Sequence, residues 1–262
     1  MDYFCRTFFY LCTIHPINQL TNQLNQPMTL IYSNSHDASF NLATEEYLFS
    51  HRSDDILFLY VNNPCVVVGR NQDVLSEVNV DFCTTHNIPV FKRMSGGGTV
   101  YHDKGNLNYC FISNRVQGES PLDTAFLQPI VHVLADLQVE VLIGKRKDLW
   151  LPGGHKISGT ASHVGKMRIL HHGTLLYDAD LENLENSLAA KLNVTSTRAI
   201  ASVPSPVKNI RSYLSEKDHY APDADSFFEL ILQKLISLYC LESVTILRPE
   251  EESLINPLSC QF

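Results

Sequence analysis

The sequence predicts an α+β fold in which a mixed, largely antiparallel central sheet is flanked by helices, all within one domain. Two observations predict it. Apolar runs of strand length recur along the chain, and they are separated in some places by short turns and in others by helical patterns. Because turns pair strands antiparallel and helical crossovers pair them parallel, the sheet is expected to contain both kinds of pair.

The first predicted elements are a short strand at 29–33 and a helix after it. Asp37 or Ser39 can cap that helix, because either side chain can accept a hydrogen bond from a free N–H of its first turn. Four apolar residues at helical spacing share one face: Phe40, Ala43, Tyr47 and Leu48. The pattern therefore predicts an amphipathic helix packed on the sheet.

Two compact apolar runs, 56–61 and 65–69, predict strands joined by a turn at Asn62-Asn63-Pro64. Residues 79–87 predict a short helix, and 89–94 predict a strand that leads into a glycine-rich loop. Further strands are predicted at 106–113, 139–143 and 167–179.

The remaining helices have recognisable starts. Ser120-Pro121-Leu122-Asp123 places a cap, a first-turn proline and an acid in order, although Pro129 should kink this helix or delay its start. Two more helices are predicted, at 180–192 and about 224–240. Residues 194–223, rich in Ser, Pro and Lys, form the most disordered-looking stretch.

Residues 1–27 are predicted to be an extension outside the fold, either disordered or a mis-assigned start that precedes a true first residue, Met28. Asp2 stands where a signal peptide carries positive charge, and a small-residue cleavage pattern is missing.

Composition argues against several classes of protein. The net charge of −8 disfavours non-specific binding to nucleic acid, which needs a basic face. No apolar run approaches the roughly 20 residues that cross a bilayer, so no membrane partner is expected. The 7 cysteines are scattered without a C-x-x-C pair, which predicts reduced thiols in the cytoplasm.

A glycine triplet, Gly96-Gly97-Gly98, follows Arg93 and precedes an aromatic strand. An isolated triplet is usually a tight connection between strands. However, backbone N–H groups left open by glycine also cradle anions, and an arginine fork suits phosphate or carboxylate. Just after the loop come three polar residues and a glycine, whose backbone is flexible: His102, Asp103, Gly105 and Asn106. The loop is therefore a candidate anion site.

Three other segments have two interpretations each. Lys156, in Gly-Gly-His-Lys-Ile-Ser-Gly-Thr-Ala, is either a solvated surface lysine or an ammonium held beside a ligand. Asp148 is either a cap or a magnesium ligand. His171 and His172 are adjacent on a strand, so they point to opposite faces and do not share a metal ion. We expect one histidine in the core and one facing a pocket.

Taken together, these segments resemble lipoate–protein ligase A. The resemblance rests on Arg93-x-Ser-Gly-Gly-Gly-Thr-Val-Tyr-His102-Asp-x-Gly-Asn106, Asp148-Leu, Lys156-Ile-Ser-Gly-x-Ala161 and His171-His-Gly-Thr-Leu175. Phe40-Asn-Leu-Ala-x-Glu-Glu46 and Ser202-Val-x-Ser-x-Val-x-Asn209 fit as well. The similarity extends from about residue 28 to about residue 247.

The resemblance implies a catalytic domain over 28–262 with the fold of biotin–protein ligases and class II synthetases, without the small C-terminal accessory domain of longer ligases. It implies a two-step reaction. Lipoate and ATP, with Mg²⁺, form a lipoyl-adenylate, and the lipoyl group then passes to one lysine of a lipoyl domain. The implied acceptors are 2-oxo acid dehydrogenase complexes and the glycine cleavage carrier protein.

The resemblance also implies residue roles. Lys156 is the expected catalytic residue, bridging the acyl carbonyl and the phosphate, and Asp148 is the expected metal ligand. Residues expected to bind ATP and the adenylate are Arg93, Gly98, Thr99, Val100, Tyr101 and Lys156. Residues expected to line the lipoyl pocket are Gly96, Gly97, His102, Asn106, Ser158, Gly159, Ala161 and His172.

Three alternatives remain open at this level. A lipoyl or octanoyl transferase working through a cysteine thioester needs a nucleophilic thiol, and the nearest candidate, Cys110, lies within a strand and reads as a buried apolar residue. An amidotransferase that moves lipoyl groups between proteins is harder to separate from a ligase. A non-catalytic lipoyl-binding module is disfavoured because Lys156 and the Arg93 loop are both present.

Overall fold

A computed structural model describes residues 28–116, 124–189 and 201–259. Its strands are β1 (Met28–Tyr32), β2 (Asp55–Val61), β3 (Cys65–Val68), β4 (Val90–Lys92), β5 (Val100–His102), β6 (Asn106–Asn114), β7 (Leu142–Ile143), β8 (Leu149–Trp150), β9 (Lys156–Ser158), β10 (Thr160–Val164) and β11 (Arg168–Leu176). Its α-helices are α1 (Ala38–His51), α2 (Val74–Glu77), α3 (Val80–Thr85), α4 (Gln128–Asp136), α5 (Leu181–Leu188), α6 (Ile210–Glu216), α7 (Ala224–Leu238) and α8 (Pro249–Ser259).

The described strands form three sheets. The central sheet has the order β1-β2-β6-β11-β10, and the two smaller sheets have the orders β4-β3-β5 and β7-β8-β9. In the central sheet β1 pairs parallel with β2, and the other pairs are antiparallel. The predicted α+β fold with a mixed, largely antiparallel sheet is therefore confirmed.

Helices cover both faces of the central sheet, which is why its inner strands are apolar without alternation. In β2, Leu57 and Leu59 point to one face and pack in a core that includes residues of α4, α6 and α7. Ile56 and Phe58 point to the other face and pack in a core that includes residues of α1 and α8. Both cores depend on the register of β2, because a shift by one residue would exchange the two sets.

The helix starts follow local chemistry. Asp37 caps α1 by accepting a hydrogen bond from the Ser39 N–H at 2.8 Å, as one of the two predicted caps. Pro129 delays the fourth helix as predicted, because α4 begins at Gln128 after a short 3-10 turn at Ala125–Leu127. The predicted start at 120–123 lies outside the described residues, as do residues 1–27.

The runs at 56–61 and 65–69 form two strands joined by a turn, as predicted, and the strands belong to different sheets. Other predictions need correction. Only Leu142–Ile143 of the 139–143 run is a strand. Within 194–223, the described part is ordered and includes α6, whose buried Ile210 and Leu214 are spaced for a helix despite the polar composition. The helix α8 was not predicted.

No helix among the described residues combines the length and the apolar character needed to cross a membrane.

Candidate active site

One face of the central sheet changes from apolar to polar along its length. The register of β2, β6 and β11 places three residues side by side in each row. The first row is apolar: Ile56, Ile112 and Leu170. The second is mixed: Phe58, Cys110 and His172. The third is polar: Tyr60, Asn108 and Thr174. Tyr60, Asn108, His172 and Thr174 line a cavity, so the polar end of this face borders open space.

This cavity has a volume of about 390 Å³. The sheet forms one wall, and the glycine loop at Gly97 and Gly98 forms a second. A third wall contains Lys156 and Asp148, and residues 201–203 close the fourth side. Segments separated by more than a hundred residues therefore surround one hollow, which is the arrangement typical of a small-molecule site.

Arg93 holds the glycine loop from its buried side. Its Nη2 donates to the carbonyl oxygens of Gly96 at 2.6 Å and Gly98 at 2.7 Å. Its Nη1 donates to the Val67 carbonyl at 2.9 Å. Burial lowers the pKa of the guanidinium to about 10, although the charge of Glu45 opposes the shift. Arg93 therefore shapes the loop through its main chain.

Two positions of this region require glycine. Gly97 has a φ of 84°, in the left-handed region that most side chains avoid. A Cβ on Gly69 would lie 2.2 Å from the Gly97 carbonyl oxygen. The loop can pack this closely against the end of β3 only because neither residue has a side chain.

A hydrogen-bonded chain connects Arg93 to a buried carboxylate on α1. Arg93 Nε donates to Ser95 Oγ at 2.9 Å, and Ser95 Oγ lies 2.7 Å from His172 Nε2. His172 Nδ1 is 2.9 Å from Oε2 of the Glu45 carboxylate, and Oε1 of the same carboxylate accepts from the Tyr60 hydroxyl at 3.0 Å. Glu45 is 1% exposed. The Glu45 carboxylate thus balances the charge of the buried Arg93 guanidinium through the side chains of His172 and Ser95.

A second chain ends at His102. Asn41 Nδ2 donates to the Ser35 carbonyl at 2.9 Å and to Asn62 Oδ1 at 2.8 Å. The Asn62 amide nitrogen lies 3.1 Å from His102 Nδ1. Burial, followed by the nearby charges of Arg93 and other groups, lowers the pKa of His102 to about 3. The imidazole that lines the cavity is therefore neutral at physiological pH.

Lys156 lies at the start of β9 with its ammonium in the cavity wall. Its Nζ is 3.5 Å from Asp148 Oδ2, and the Arg146 guanidinium is 3.6 Å from the same oxygen. Burial lowers the pKa of Lys156, while Asp148 opposes the shift. The negative partner of Lys156 is therefore the buried carboxylate of Asp148, which is 3% exposed.

Ser202 fastens the closing segment to the glycine loop. Its Oγ accepts from the Thr99 N–H at 3.0 Å and from Gln72 Nε2 at 3.0 Å. The hydroxyl itself donates to the buried Glu77 carboxylate, which also accepts from the Ser202 N–H at 2.9 Å. Residues 201–203 are thereby held against the loop that they cover.

Most of the predicted site residues line this single cavity: Arg93, Gly97, Gly98, Thr99, Val100, His102, Asp148, Lys156, Gly159, Ala161 and His172. Four other predicted residues do not line it: Gly96, Tyr101, Asn106 and Ser158. Asn106 donates to Asn108 Oδ1 at 3.1 Å, and the Ser158 hydroxyl lies 3.2 Å from the Tyr109 hydroxyl. Tyr101 packs in the core beside the β4-β3-β5 sheet. Their roles in ligand binding stay predictions.

The two adjacent histidines point to opposite faces, as predicted. His172 lines the cavity, whereas His171 stacks on Phe126 with ring centroids 4.1 Å apart. His171 Nδ1 also lies 2.8 Å from Ser162 Oγ. His171 is therefore a core histidine with its own partners.

Sequence reasoning missed four residues of the site: Glu45, Asn62, Ser95 and Ser202. Glu45 and Ser202 lie in segments that carry the resemblance, but a carboxylate on a helix and a serine in a polar stretch have no distinctive local signal. The structure gives them roles through partners 127 and 125 residues away. Both pairs depend on how helices pack against distant segments, which no local sequence pattern reports.

The donor set around Asp148 does not suit Mg²⁺. Magnesium prefers an octahedron of oxygen ligands with one or two carboxylates. Among the described residues that line the cavity, Asp148 is the one carboxylate, and its Oδ2 faces the cations of Lys156 and Arg146. A dication there would be repelled by both.

The cysteines of the described residues do not supply a nucleophile to the cavity. Cys65, Cys83 and Cys110 are buried, and burial raises the pKa of each thiol. For Cys110 the neighbouring Glu45 carboxylate raises the pKa further. Cys240 is exposed, and it does not line the cavity. A thioester mechanism at this site is therefore disfavoured for the described chain.

Residues 37–236 match the sequence profile of a protein family described as the lipoyl protein ligase A/B catalytic domain. Lipoate-protein ligase LplJ of Bacillus subtilis is 37% identical over 186 residues, which cover 70% of this chain and 56% of that protein. The mitochondrial lipoyl amidotransferase LIPT1 of Homo sapiens is 39% identical over 194 residues, covering 72% of this chain and 50% of that protein. The chain therefore spans about half the length of these curated relatives.

Solved structures share the fold. A bi-partite lipoate protein ligase from Thermoplasma acidophilum superposes with a TM-score of 0.71 at 23% identity, covering 90% of this chain and 92% of that chain. A lipoate-protein ligase A bound with ATP gives a TM-score of 0.70 at 22% identity, covering 90% and 94%. At these identities the likeness shows the architecture alone.

Proposed function

Because the chain belongs to the lipoyl protein ligase A/B catalytic domain family, we propose that it transfers an activated lipoyl group to the side-chain amine of a lysine on a lipoyl domain. The observation that carries the proposal is the shared cavity. The ammonium of Lys156 and the main chain of the glycine loop at Gly97 and Gly98 line the same hollow. A lipoyl donor placed there would have a cation and backbone groups beside its reacting end.

The transfer forms an amide. The neutral amine of the acceptor lysine attacks the carbonyl carbon of the donor, and a C–N bond forms. The bond from that carbon to the leaving group breaks, and the amine proton is released with the leaving group or to solvent. Negative charge develops on the carbonyl oxygen and on the leaving group during the attack. A hydrogen-bond donor fixed beside these atoms therefore lowers the barrier.

In the proposal, the ammonium of Lys156 is this hydrogen-bond donor. Asp148 holds its ammonium at 3.5 Å, so the cation is positioned before the donor binds. Arg146 faces the same oxygen of Asp148 and brings a second positive charge to the cavity. Groups fixed in advance in a half-buried site stabilise a developing charge without reorganising. A phosphate or carboxylate leaving group suits this pair of cations.

The lipoyl chain lies, in this proposal, along the polar rows of the sheet between Lys156 and His172. Leu42, Tyr60 and Val67 contribute apolar or aromatic surface to the same cavity. This combination of apolar surface with a few fixed polar groups is typical of pockets for small amphipathic ligands.

Complete ATP-dependent ligation, the activity predicted from the sequence, is the second candidate. The Bacillus subtilis relative is named a lipoate-protein ligase, which favours it. In that case lipoate and ATP first form lipoyl-AMP with release of pyrophosphate. The human relative is named a lipoyl amidotransferase, which favours a donor that already carries the lipoyl group. The environment of Asp148 agrees better with transfer from such a donor.

One experiment separates these readings. The purified chain is incubated with an apo lipoyl domain and, in separate reactions, with lipoate plus ATP and Mg²⁺, with lipoyl-AMP, or with a lipoylated carrier protein. Mass spectrometry of the acceptor detects the added lipoyl group. Modification in the last two reactions alone supports transfer without activation. Modification with lipoate and ATP, together with lipoate-dependent ATP–pyrophosphate exchange, supports a complete ligase. Absence of modification in all three reactions contradicts the proposal.

The proposed acceptors are lipoyl domains of 2-oxo acid dehydrogenase complexes and the glycine cleavage carrier protein. The Thermoplasma acidophilum ligase is described together with its E2 lipoyl domain, which supports this class of partner. The cytoplasmic location stays a prediction, and the human relative is named as mitochondrial. Fractionation of cells that express a tagged chain tests it.

A further inference from the structure

Resting on the proposed function, we propose that Asn62 is a positioning residue that fixes the proton of His102 on Nε2, so that His102 donates a hydrogen bond to an acceptor atom of the lipoyl donor. Asn62 lies in the turn that follows β2, outside the motifs that carry the chemistry. It acts on the ligand only through His102.

A backbone carbonyl sets the direction of the whole chain. The Ser35 carbonyl can only accept, so the Asn41 group 2.9 Å away from it is the amide nitrogen. The other N–H of that nitrogen points to Asn62 Oδ1 at 2.8 Å. Ser33 Oγ lies 2.6 Å from Asn41 Oδ1 and completes the amide's partners. The orientation of Asn41 is therefore determined by its surroundings.

The orientation of Asn62 follows from that of Asn41. With its oxygen turned to Asn41, Asn62 presents its amide nitrogen to His102 Nδ1 at 3.1 Å. An amide nitrogen donates and does not accept, so Nδ1 must accept. A neutral imidazole that accepts at Nδ1 carries its proton on Nε2.

That Nε2 is a buried donor in need of an acceptor. His102 is 3% exposed and lines the cavity, and its Nε2 has no hydrogen-bond partner among the residues that the structure describes. A buried N–H without a partner is costly, and native structures retain few of them. The ligand atom opposite His102 is therefore expected to be an acceptor.

Burial supports the neutral form that this argument needs. Asn41 and Asn62 are both fully buried, so water does not compete for their amide groups. Arg93 adds positive charge near His102, which disfavours a second proton on the ring. The buried chain thus selects one tautomer of one neutral ring.

The direct test is NMR of the full chain labelled with ¹⁵N in its histidine rings. The His102 signals are assigned as those that disappear in His102→Gln. We expect a protonated Nε2 and an unprotonated Nδ1 in the wild-type protein. In Asn62→Asp only carboxylate oxygens face Nδ1, so we expect a proton on Nδ1. The exposed neighbour Asn63 provides the matched control, and Asn63→Ala should leave the wild-type pattern unchanged.

The functional test uses a single lipoyl donor and compares Asn62→Ala with Asn63→Ala. In Asn62→Ala the proton of His102 is no longer fixed on Nε2, so the hydrogen bond from His102 to the substrate is weakened. We expect kcat/KM to fall roughly tenfold, the effect of about one hydrogen bond. Asn63→Ala should stay within about twofold of the wild type. A proton on Nδ1 in the wild-type spectrum overturns the inference, and so does unchanged transfer by a folded Asn62→Ala variant.

The two proposals fail in different ways. The wild-type spectrum reports the tautomer without any turnover and does not depend on whether Asn62 variants fold. If the spectrum shows the Nε2 proton but the wild type transfers no lipoyl group, the proposed function fails and the positioning role of Asn62 on His102 stands. If transfer occurs with the proton on Nδ1, the inference fails alone.

Discussion

The Glu45 carboxylate lies 2.9 Å from His172 Nδ1, joining α1 to strand β11 of the central sheet across 127 residues of sequence. Both side chains are buried. Through Ser95, the same contact reaches the Arg93 guanidinium that holds the glycine loop. The position of the loop thus depends on a helix that contributes no other charged group to the site.

Replacing Glu45 by Gln should destabilise the protein by about 2 kcal/mol, because the buried Arg93 charge loses its counter-charge. We expect a lower urea midpoint and weaker transfer, since the loop is held less firmly. The neighbouring Glu46 is exposed, so Glu46→Gln is the matched control and should change neither. Equal stability of the two variants would show that Glu45 does not balance Arg93.

Replacing Lys156 by Ala should lower kcat/KM for lipoyl transfer by about 100-fold to 1000-fold, as expected for loss of one preorganised donor. The thermal midpoint should stay close to that of the wild type, because Arg146 still faces Asp148. Lys166, an exposed lysine in the turn after β10, provides the control substitution Lys166→Ala. Near-normal transfer by Lys156→Ala would remove this residue from the mechanism.

Ser202→Ala should weaken the hold of residues 201–203 on the glycine loop. The substitution removes the acceptor of the Thr99 N–H and one donor to the buried Glu77 carboxylate. We expect KM for the lipoyl donor to rise by roughly tenfold while kcat changes less. Steady-state kinetics measure this, with Ser212→Ala on the exposed surface of α6 as control. An unchanged KM would mean that this contact does not shape the site.

Transfer from lipoyl-AMP should continue in excess EDTA. The reason is that the carboxyl group of Asp148 already faces two cations, Lys156 and Arg146, so transfer relies on these and not on a metal ion. The measurement compares initial rates with and without chelator, and readdition of Mg²⁺ provides the control. If EDTA lowers the rate strongly and added Mg²⁺ restores the rate, the transfer step needs a metal despite this arrangement.

Acid should loosen the packing of α8. Burial alone raises the pKa of Glu251, but hydrogen bonds from Arg248 and Arg52 outweigh it and lower the pKa to about 2. A carboxyl group whose pKa is lower in the folded state stabilises that state above its ordinary pKa of 4.5. This stabilisation is lost as the pH falls from about 4.5 towards 2.

Thermal melts of Glu251→Gln between pH 7 and pH 2 test this. The variant should be less stable than the wild type at pH 7, and the difference should shrink as the pH falls through that window. Glu252 is exposed, so Glu252→Gln should follow the wild-type curve. A difference between Glu251→Gln and the wild type that stays constant with pH would exclude ionisation of Glu251 as the cause.

Much of the fold could be predicted because it is encoded in short stretches. The strands β2 and β6 were predicted from apolar runs, and α1 from its spacing and its Asp37 cap. The helix α6 was not, because its two buried apolar residues are surrounded by polar ones. Its helical form depends on the core into which Ile210 and Leu214 pack.

The sequence by itself determined the chemistry that is available: a triple glycine after Arg93, a lysine among small residues, and paired histidines that must point to opposite faces of a strand. These are local properties of the chain. Only the tertiary structure decided which groups meet, including Glu45 with His172 and Asn62 with His102. Such pairs depend on sheet register and helix packing, and these are determined by burial of apolar surface over the whole chain rather than by the residues that pair.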